Sequence, residues 1–363
     1  MITRLDIKGY KSIRDQVVEL APINILIGGN GVGKSNFISL FSLVRNMYEQ
    51  NLQNYVARKG GADVFLHRGR KYTQQILIDF YFGDQEYNPY NRFIIDLVER
   101  GDALLIEQTQ TAFKPNGEWH YQIYDKNVSE SGFKDTAKGQ AYYVNDWLKE
   151  FEVFHFHDTG DLSPMKKKCN VEDNRKLKSD GSNLAAYLYL LQQKHPRQFK
   201  IIEMTIASIA PFFDGFLLQP SLLNEDMIEL RWREKGMIDS YFNAGHLSDG
   251  TLRFIALATL LLQPEPPKII IIDEPELGLH PFAISKLAAM MRKASAKSQL
   301  IISTQSVNFV DNFEPEDILT VDRIGGDSVF KRLDSEQLKS WLEEYSLGEL
   351  WEKNVIDGQP LLK

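Results

Sequence analysis

Eight residues limit what this chain can fold into more than any others: Gly28–Ser35, GGNGVGKS, which fit the pattern Gly, four residues, Gly, Lys, then Ser or Thr. Ahead of them Ile23, Ile25, Leu26 and Ile27 make a short apolar run, and behind them Phe37, Phe41, Val44 and Tyr48 recur at helical spacing. The sequence therefore predicts a phosphate loop set between a buried strand and a helix. In such a loop glycines let backbone N–H groups curl round phosphate oxygens, and the helix N-terminus adds its partial positive charge. Gly28, Asn30, Gly31, Val32, Gly33 and Asn36 are the expected cradle, Lys34 reaches the β- and γ-phosphates, and Ser35 offers a hydroxyl to Mg²⁺.

Composition bounds what can surround the loop. At 363 residues the chain is long for one simple core, so one large domain or two lobes are expected. Apolar and charged fractions of 43% and 25% are those of an ordinary soluble globular protein. The single cysteine, Cys169, rules out an internal disulfide framework, argues against a Cys-rich zinc site, and makes the reducing cytoplasm the natural setting. The opening MITRLDIKGYKSI lacks the apolar core of a signal peptide, and no run approaches the roughly 18 residues of a membrane span. A net charge of −7 argues against a surface that binds nucleic acid throughout, while leaving room for a local basic groove.

Along the chain, Ile2, Leu5 and Ile7, then Val17, Val18 and Leu20, read as two strands around a turn at Gly9, leading into the phosphate loop. The helix after the loop runs to about Gln50, and Lys59 to Lys71, with three glycines, reads as a loop-rich connection. Ile76 to Phe82, Phe93 to Val98, Ala103 to Thr111 and Trp119 to Tyr124 are short branched or aromatic runs, the pattern of a small β-rich subdomain. A short helix is expected from Ala141 to Glu150. Phe151 to Asp158, FEVFHFHD, then alternates like a strand, on which His155 and His157 share a face; we read them as packed, hydrogen-bonded side chains in preference to metal ligands. Met165 to Lys178 carries Lys166, Lys167, Lys168, Arg175, Lys176 and Lys178, either a contact for a phosphate backbone or a solvated, mobile loop. Asn183 to Gln193 and Gln198 to Ile209 look helical, and Met227 to Trp232 returns to strand.

The remaining chemistry lies further on. Lys268 to Pro275, KIIIIDEP, is an apolar run ending in two acids, as expected of a buried parallel strand that delivers carboxylates to its C-terminal edge. There Asp273 would hold Mg²⁺ and Glu274 could polarise an attacking water. Leu247 to Thr251, LSDGT, precedes the helical run Leu252, Ile255, Ala256, Thr259 and Leu260, so Ser248 reads as a helix N-cap.

LSDGT resembles the signature motif of the ABC-type ATPases in the form used by the RecF and SMC group. Asp273 to Pro281, DEPELGLHP, is similar to that group's acidic strand and following D-loop. The resemblance runs from IKGYKSI through LSDGTLRF to SLGELWEKN, and is to compact RecF-like AAA-family ATPases without a coiled coil, of the kind found in DNA repair and phage defence. Between Lys34 and Ser248 there are no sustained heptads, and Cys169 has no cysteine partner, so coiled-coil arms and a zinc hook are both excluded. The resemblance implies an α/β P-loop ATPase head of two lobes with an insertion: an ATPase lobe over 1–75, a β-rich and helical insertion over 76–240, and a second ATPase lobe over 241–363.

It further implies that two heads face each other head to tail, each ATP lying between one subunit's phosphate loop and the other's Ser248, Asp249 and Gly250. ATP would then act as a switchable glue in a C₂ homodimer. One departure concerns the segment after the strand Gln299 to Ile302. There the family has Ser-Thr-His-Ser with a histidine on the γ-phosphate, and this chain has Ser303, Thr304, Gln305, Ser306. Glutamine still donates a hydrogen bond but cannot carry the charge, so ATP binding is expected and the hydrolysis rate is open. The family's Q-loop glutamine has no clear counterpart; Gln74 and Gln75 qualify only by standing before a strand. The leading expectation is a cytoplasmic Mg²⁺-dependent ATPase that handles DNA or controls a partner effector, with any nuclease on a separate polypeptide and no membrane. The alternatives are a nucleotide-gated scaffold with little turnover and, less favoured by LSDGT and GLHP, a transporter motor subunit.

Overall fold

The computed structural model describes residues 1–83, 89–115, 117–136, 139–237 and 241–358. In chain order, β1 (Ile2–Tyr10) and β2 (Ile13–Glu19) form a hairpin, and β3 (Ile23–Ile27) leads through the Gly-rich loop to α1 (Lys34–Tyr48) and α2 (Leu52–Lys59). Then come β4 (Gln75–Gly83), β5 (Pro89–Arg100), β6 (Ala103–Phe113), β7 (His120–Val128), α3 (Gln140–Leu148), β8 (Val153–Phe154) and β9 (Cys169–Asn170). Two helices, α4 (Leu184–Lys194) and α5 (Pro196–Ile209), precede four short strands, β10 (Phe213–Phe216), β11 (Met227–Ile228), β12 (Arg231–Glu234) and β13 (Phe242–Asn243). The last part holds α6 (Asp249–Leu262), β14 (Ile269–Asp273), α7 (Pro281–Ala294), β15 (Gln299–Ser303), α8 (Val307–Val310), β16 (Ile318–Ile324), β17 (Asp327–Arg332), α9 (Ser335–Leu342) and α10 (Leu347–Glu352).

The chain divides into two compact units, Met1–Val153 with Lys268–Ile271 and Ser298–Lys363, and Phe154–Pro267 with Ile272–Lys297. In the first, an antiparallel sheet runs in the order β2-β1-β4-β5-β6-β7, so the aromatic and branched runs after residue 75 extend the sheet begun at the N-terminus. A second sheet runs β17-β16-β3-β15-β14-β8, with β15 and β16 both parallel to β3. Its inner strands β3 and β15 are buried along their whole length, as expected of strands covered on both faces. Helix α1 has apolar contacts with both sheets: Phe41 meets Phe80 of β4 edge-on at 6.0 Å, and Phe37 lies 5.1 Å from Phe330 of β17. That is why Phe37, Leu40, Phe41, Leu43 and Val44 are all buried although they do not share one face.

The second unit is built on α6, buried from Thr251 to Leu261 and packed against α5 and α7. Beside it β10, β12 and β13 form a small sheet, with Trp232 stacked on Phe242 at 5.0 Å, and β9 pairs with β11. Among the described residues no helix is long and apolar enough to cross a membrane.

Three sequence expectations shift. The first hairpin turns at Lys11 and Ser12, with Lys11 at φ 48, and Gly9 stays inside β1. The run Met227 to Trp232 splits: Met227 and Ile228 pair with β9, whereas Arg231 and Trp232 belong to a strand paired with β10 and β13. The strand expected over Phe151 to Asp158 is only Val153–Phe154, because the later backbone groups bond elsewhere: His155 N–H donates to Ser179 O, and the carbonyls of Phe156 and His157 both accept from Arg253.

Candidate nucleotide site

The first unit carries the phosphate loop. Registers Ile302 opposite Ile25 and Ser303 opposite Leu26 bring the C-terminal ends of β3 and β15 to one edge of the sheet. From that edge the chain passes through Gly28–Gly33 into α1, with Gly33 as N-cap at φ 123. Any side chain at Gly33 would meet Ser328 Oγ at 2.1 Å and Ser12 Oγ at 2.9 Å, so the tight brace and the left-handed backbone both require glycine there. The brace is explicit. Ser328 Oγ donates to Val32 O (2.5 Å) and is within hydrogen-bond distance of Ser12 Oγ (2.7 Å), Asn36 Nδ2 donates to Ser12 Oγ (2.7 Å), and Arg323 Nη1 donates to Gly31 O (3.2 Å).

Lys34 is 6% exposed, and its Nζ donates to the carbonyls of Gly28 (2.5 Å) and Gly29 (3.0 Å), holding the ammonium against the loop. Asn30, Gly31 and Ser35 are exposed, whereas Val32 is buried. Gln305 is exposed just beyond β15, next to Thr304, whose N–H donates to Leu26 O (3.0 Å); it therefore stands at the sheet edge that carries the loop. Gln75 is engaged elsewhere, its amide donating to both carboxylate oxygens of Asp96.

Beside the loop a cavity of about 640 Å³ is lined by Lys11, Ser12, Asn36, His67, Arg68 and Arg323 among others. Asp327 organises this wall: it accepts from Arg68 Nη2 at 2.9 Å and lies 3.2 Å from His67 Nε2. Lys11 Nζ donates to Ser39 Oγ (2.8 Å) between the rings of Tyr10 and Phe65. Burial, with help from nearby Lys59, lowers its pKa to about 8.

The second unit carries the other motif residues. Ser248 caps α6, its Oγ accepting from Thr251 N–H (3.2 Å). Ser248 and Asp249 are exposed at the end of a helix that is otherwise inside the unit. A Cβ on Gly250 would lie 2.4 Å from Gly278 O, so the turn after the acidic strand packs directly on the signature helix and only glycine fits. Lys166, whose side chain is only 11% exposed, lies 3.8 Å from Asp249; Lys167 and Lys168 stay exposed. The basic segment is stitched by buried Asn183, which donates to Asp173 O and Lys176 O and accepts from Lys178 N–H.

Asp273 and Glu274 end β14 half-buried, with Glu274 in the left-handed region at φ 44. A narrow crevice is lined by Asp273, Glu274, His157, Arg253 and the apolar side chains around them. Arg253, 5% exposed, donates through Nε to Phe156 O and through Nη2 to His157 O, each at 3.0 Å. Burial lowers its pKa, against the opposing pull of Asp249 and Glu276. Among the described residues no group of three or more His, Cys, Asp and Glu could hold a metal. The donors expected for Mg²⁺, the exposed Ser35 hydroxyl and the Asp273 carboxylate, are oxygen ligands of the class this cation prefers.

Sequence reading missed Lys11, Ser12, Arg253, Arg323 and Ser328, although Lys11 and Ser12 lie in the IKGYKSI segment and Arg253 in LSDGTLRF. Two family models match the chain, one described as "AAA ATPase domain" over residues 1–209, the other as "AAA domain, putative AbiEii toxin, Type IV TA system" over 119–311. The chain belongs to the AAA ATPases.

Solved SMC heads share the fold of this AAA ATPase. An SMC head bound to the C-winged helix domain of ScpA matches with a TM-score of 0.61 at 16% identity, covering 93% of this chain and 99% of that one. The Pyrococcus furiosus Smc head domain with an extended coiled coil, bound to the C-terminal domain of ScpA, matches with a TM-score of 0.56 at 14% identity, covering 94% and 98%. No curated protein matches the chain.

Proposed function

We propose that this AAA ATPase binds and hydrolyses ATP with Mg²⁺, closes into a head-to-tail homodimer when ATP is bound, and acts on DNA or controls a partner effector in DNA repair or phage defence. The observation that carries the reading is the exposed N-terminus of α6. Ser248 and Asp249 face solvent at the end of a helix whose Thr251–Leu261 stretch is buried, which suits them to a phosphate brought by a second subunit. Lys34 takes the β- and γ-phosphates, Ser35 and Asp273 hold Mg²⁺, and Glu274 polarises the water; the metal, when bound, neutralises charge on the phosphates.

Glu274→Gln keeps size and polarity but removes the base. It is expected to leave ATP affinity unchanged and to lower steady-state phosphate release by about a hundredfold or more. Equal release by wild type and Glu274→Gln would overturn the assignment. Gln305 favours a second reading, a nucleotide-gated scaffold with little turnover, because a neutral amide there supplies less charge than an imidazolium. In that case wild type itself releases phosphate hardly faster than Glu274→Gln while still binding ATP.

The cavity beside the loop yields a pH prediction. Lys11 is charged below about 8 and neutral above, so if it faces the nucleotide, ATP affinity falls as pH rises from about 7 to 9. The groups around its ammonium are Ser39, the Tyr10 and Phe65 rings, and Lys59, with His67 on its own carbonyl. Folding stability moves the other way. A lysine depressed in the folded state binds fewer protons than in the unfolded chain between about 8 and its ordinary 10.5, so stability rises with pH across that window. Lys11→Arg, charged throughout, should flatten the affinity profile. Calorimetric titrations at three pH values test it, and an affinity independent of pH in wild type would remove Lys11 from the site.

A further inference from the structure

We infer that the segment after α10 is part of the nucleotide site: Trp351 and Asp322 hold Gly358 against Gly28, and through that contact they position the phosphate loop for ATP. The inference rests on the nucleotide-binding reading above. Three observations lead to it. Gly358 is fixed through both of its backbone polar groups, its N–H donating to Asp322 Oδ1 (2.9 Å) and its carbonyl accepting from Trp351 Nε1 (3.2 Å) in a buried bond. The residues before it are seated as well, because Ile356 is buried and Lys331 of β17 reaches the Asp357 carboxylate at 3.1 Å. Finally, a Cβ on Gly358 would lie 3.5 Å from Gly28 Cα and 3.6 Å from Ile27 O, so this segment packs on the corner where β3 becomes the phosphate loop.

Gly28 is hemmed in by β16 too. A Cβ there would lie 2.4 Å from the carbonyl oxygen of Val321, the residue before the Asp322 that anchors Gly358. Its own carbonyl accepts from Lys34 Nζ, so a shift of Gly28 is felt at the lysine. A loop with four glycines in eight residues loses much conformational freedom when it is ordered, and a loop ordered only when ATP arrives subtracts that loss from the affinity. Apparent affinity falls in proportion to the fraction of molecules already in the binding-competent form, so supports outside the loop matter. Ser12, Ser328 and Arg323 brace it from Gly31 to Asn36. Gly358 supports the near end at Gly28, through Trp351 and Asp322, none of which needs to touch the nucleotide.

The test separates positioning from a role in stability alone. Trp351→Phe keeps an aromatic ring and removes the N–H, Asp322→Ala removes the acceptor, and Asp322→Asn leaves an oxygen that can still accept from Gly358 N–H. Calorimetric titration of the full chain with Mg·ATP reads both the dissociation constant and the fraction of chains that bind. Trp351→Phe and Asp322→Ala are each expected to weaken ATP binding by about tenfold with the binding fraction unchanged, and Asp322→Asn should stay within about threefold of wild type. A role in stability alone gives the opposite pattern, a smaller binding fraction at unaltered affinity, and would overturn the inference. So would wild-type affinity in both Trp351→Phe and Asp322→Ala, or an asparagine variant as weak as the alanine one. Failure of wild type to bind ATP would instead overturn the nucleotide-binding reading itself, so the two failures are distinct.

Discussion

Lys34→Ala is expected to abolish ATP binding while leaving the fold intact. Lys34 is almost fully buried, and its ammonium donates to two backbone carbonyls of the loop, Gly28 and Gly29. An ammonium solvated by carbonyl dipoles keeps most of its charge available to an anion that replaces them, and each charge-assisted hydrogen bond to phosphate contributes about 1.5–3 kcal/mol. Two such bonds amount to an affinity loss of at least about a hundredfold, beyond the range of an ordinary titration for a nucleotide held at micromolar strength. The apolar face of α1, Phe37, Phe41 and Val44, is untouched, so thermal unfolding should shift little. Calorimetric titration with Mg·ATP measures both proteins, and equal affinities would refute the phosphate-loop assignment.

The second large effect concerns assembly. Ser248→Arg, placed in a Glu274→Gln background that retains ATP, should prevent ATP-dependent dimerisation without weakening ATP binding by the single chain. The substitution acts in two ways that must be separated. It deletes an N-cap, costing about 1 kcal/mol of the chain's own stability, and it puts a long side chain where a second subunit's phosphate is to dock. Ser248→Gly loses the cap hydroxyl at smaller structural cost and adds no bulk, so it serves as the control. Light scattering should find the Glu274→Gln protein doubling its mass on addition of ATP, the Ser248→Arg double variant staying monomeric, and the Ser248→Gly double variant dimerising more weakly. A mass unaffected by ATP in all three would sink the dimer.

Much of this site could be read from sequence because its chemistry is local. The phosphate loop needs glycines, lysine and a hydroxyl within a few consecutive positions, and β3 and α1 fall where the apolar spacing puts them. The end of β14 and the cap at Ser248 are equally local. The supports of the loop are not. Ser328 lies 296 residues from Val32, whose carbonyl it holds, and Arg323 lies 292 from Gly31; no spacing rule connects them. The same limit explains the strand cut short after Phe154. Alternation along FEVFHFHD is real, but a strand needs partners for its backbone, and Arg253 had already taken two of the carbonyls from 96 and 97 residues away. Lysine in the basic segment was counted as one surface, whereas Lys166 lies against Asp249 at the start of α6 and only its neighbours face water.

The backbone of Glu274 has a consequence for how this protein would respond to selection. A side chain with a Cβ held at φ 44 costs about 1–3 kcal/mol relative to a residue that accepts that geometry, and glycine or asparagine would relieve it. A screen that rewards heat resistance alone would therefore favour replacing the carboxylate on which turnover is proposed to depend. Melting temperature and activity pull in opposite directions at this position, and the hardiest survivors of such a screen would be the variants least able to spend ATP.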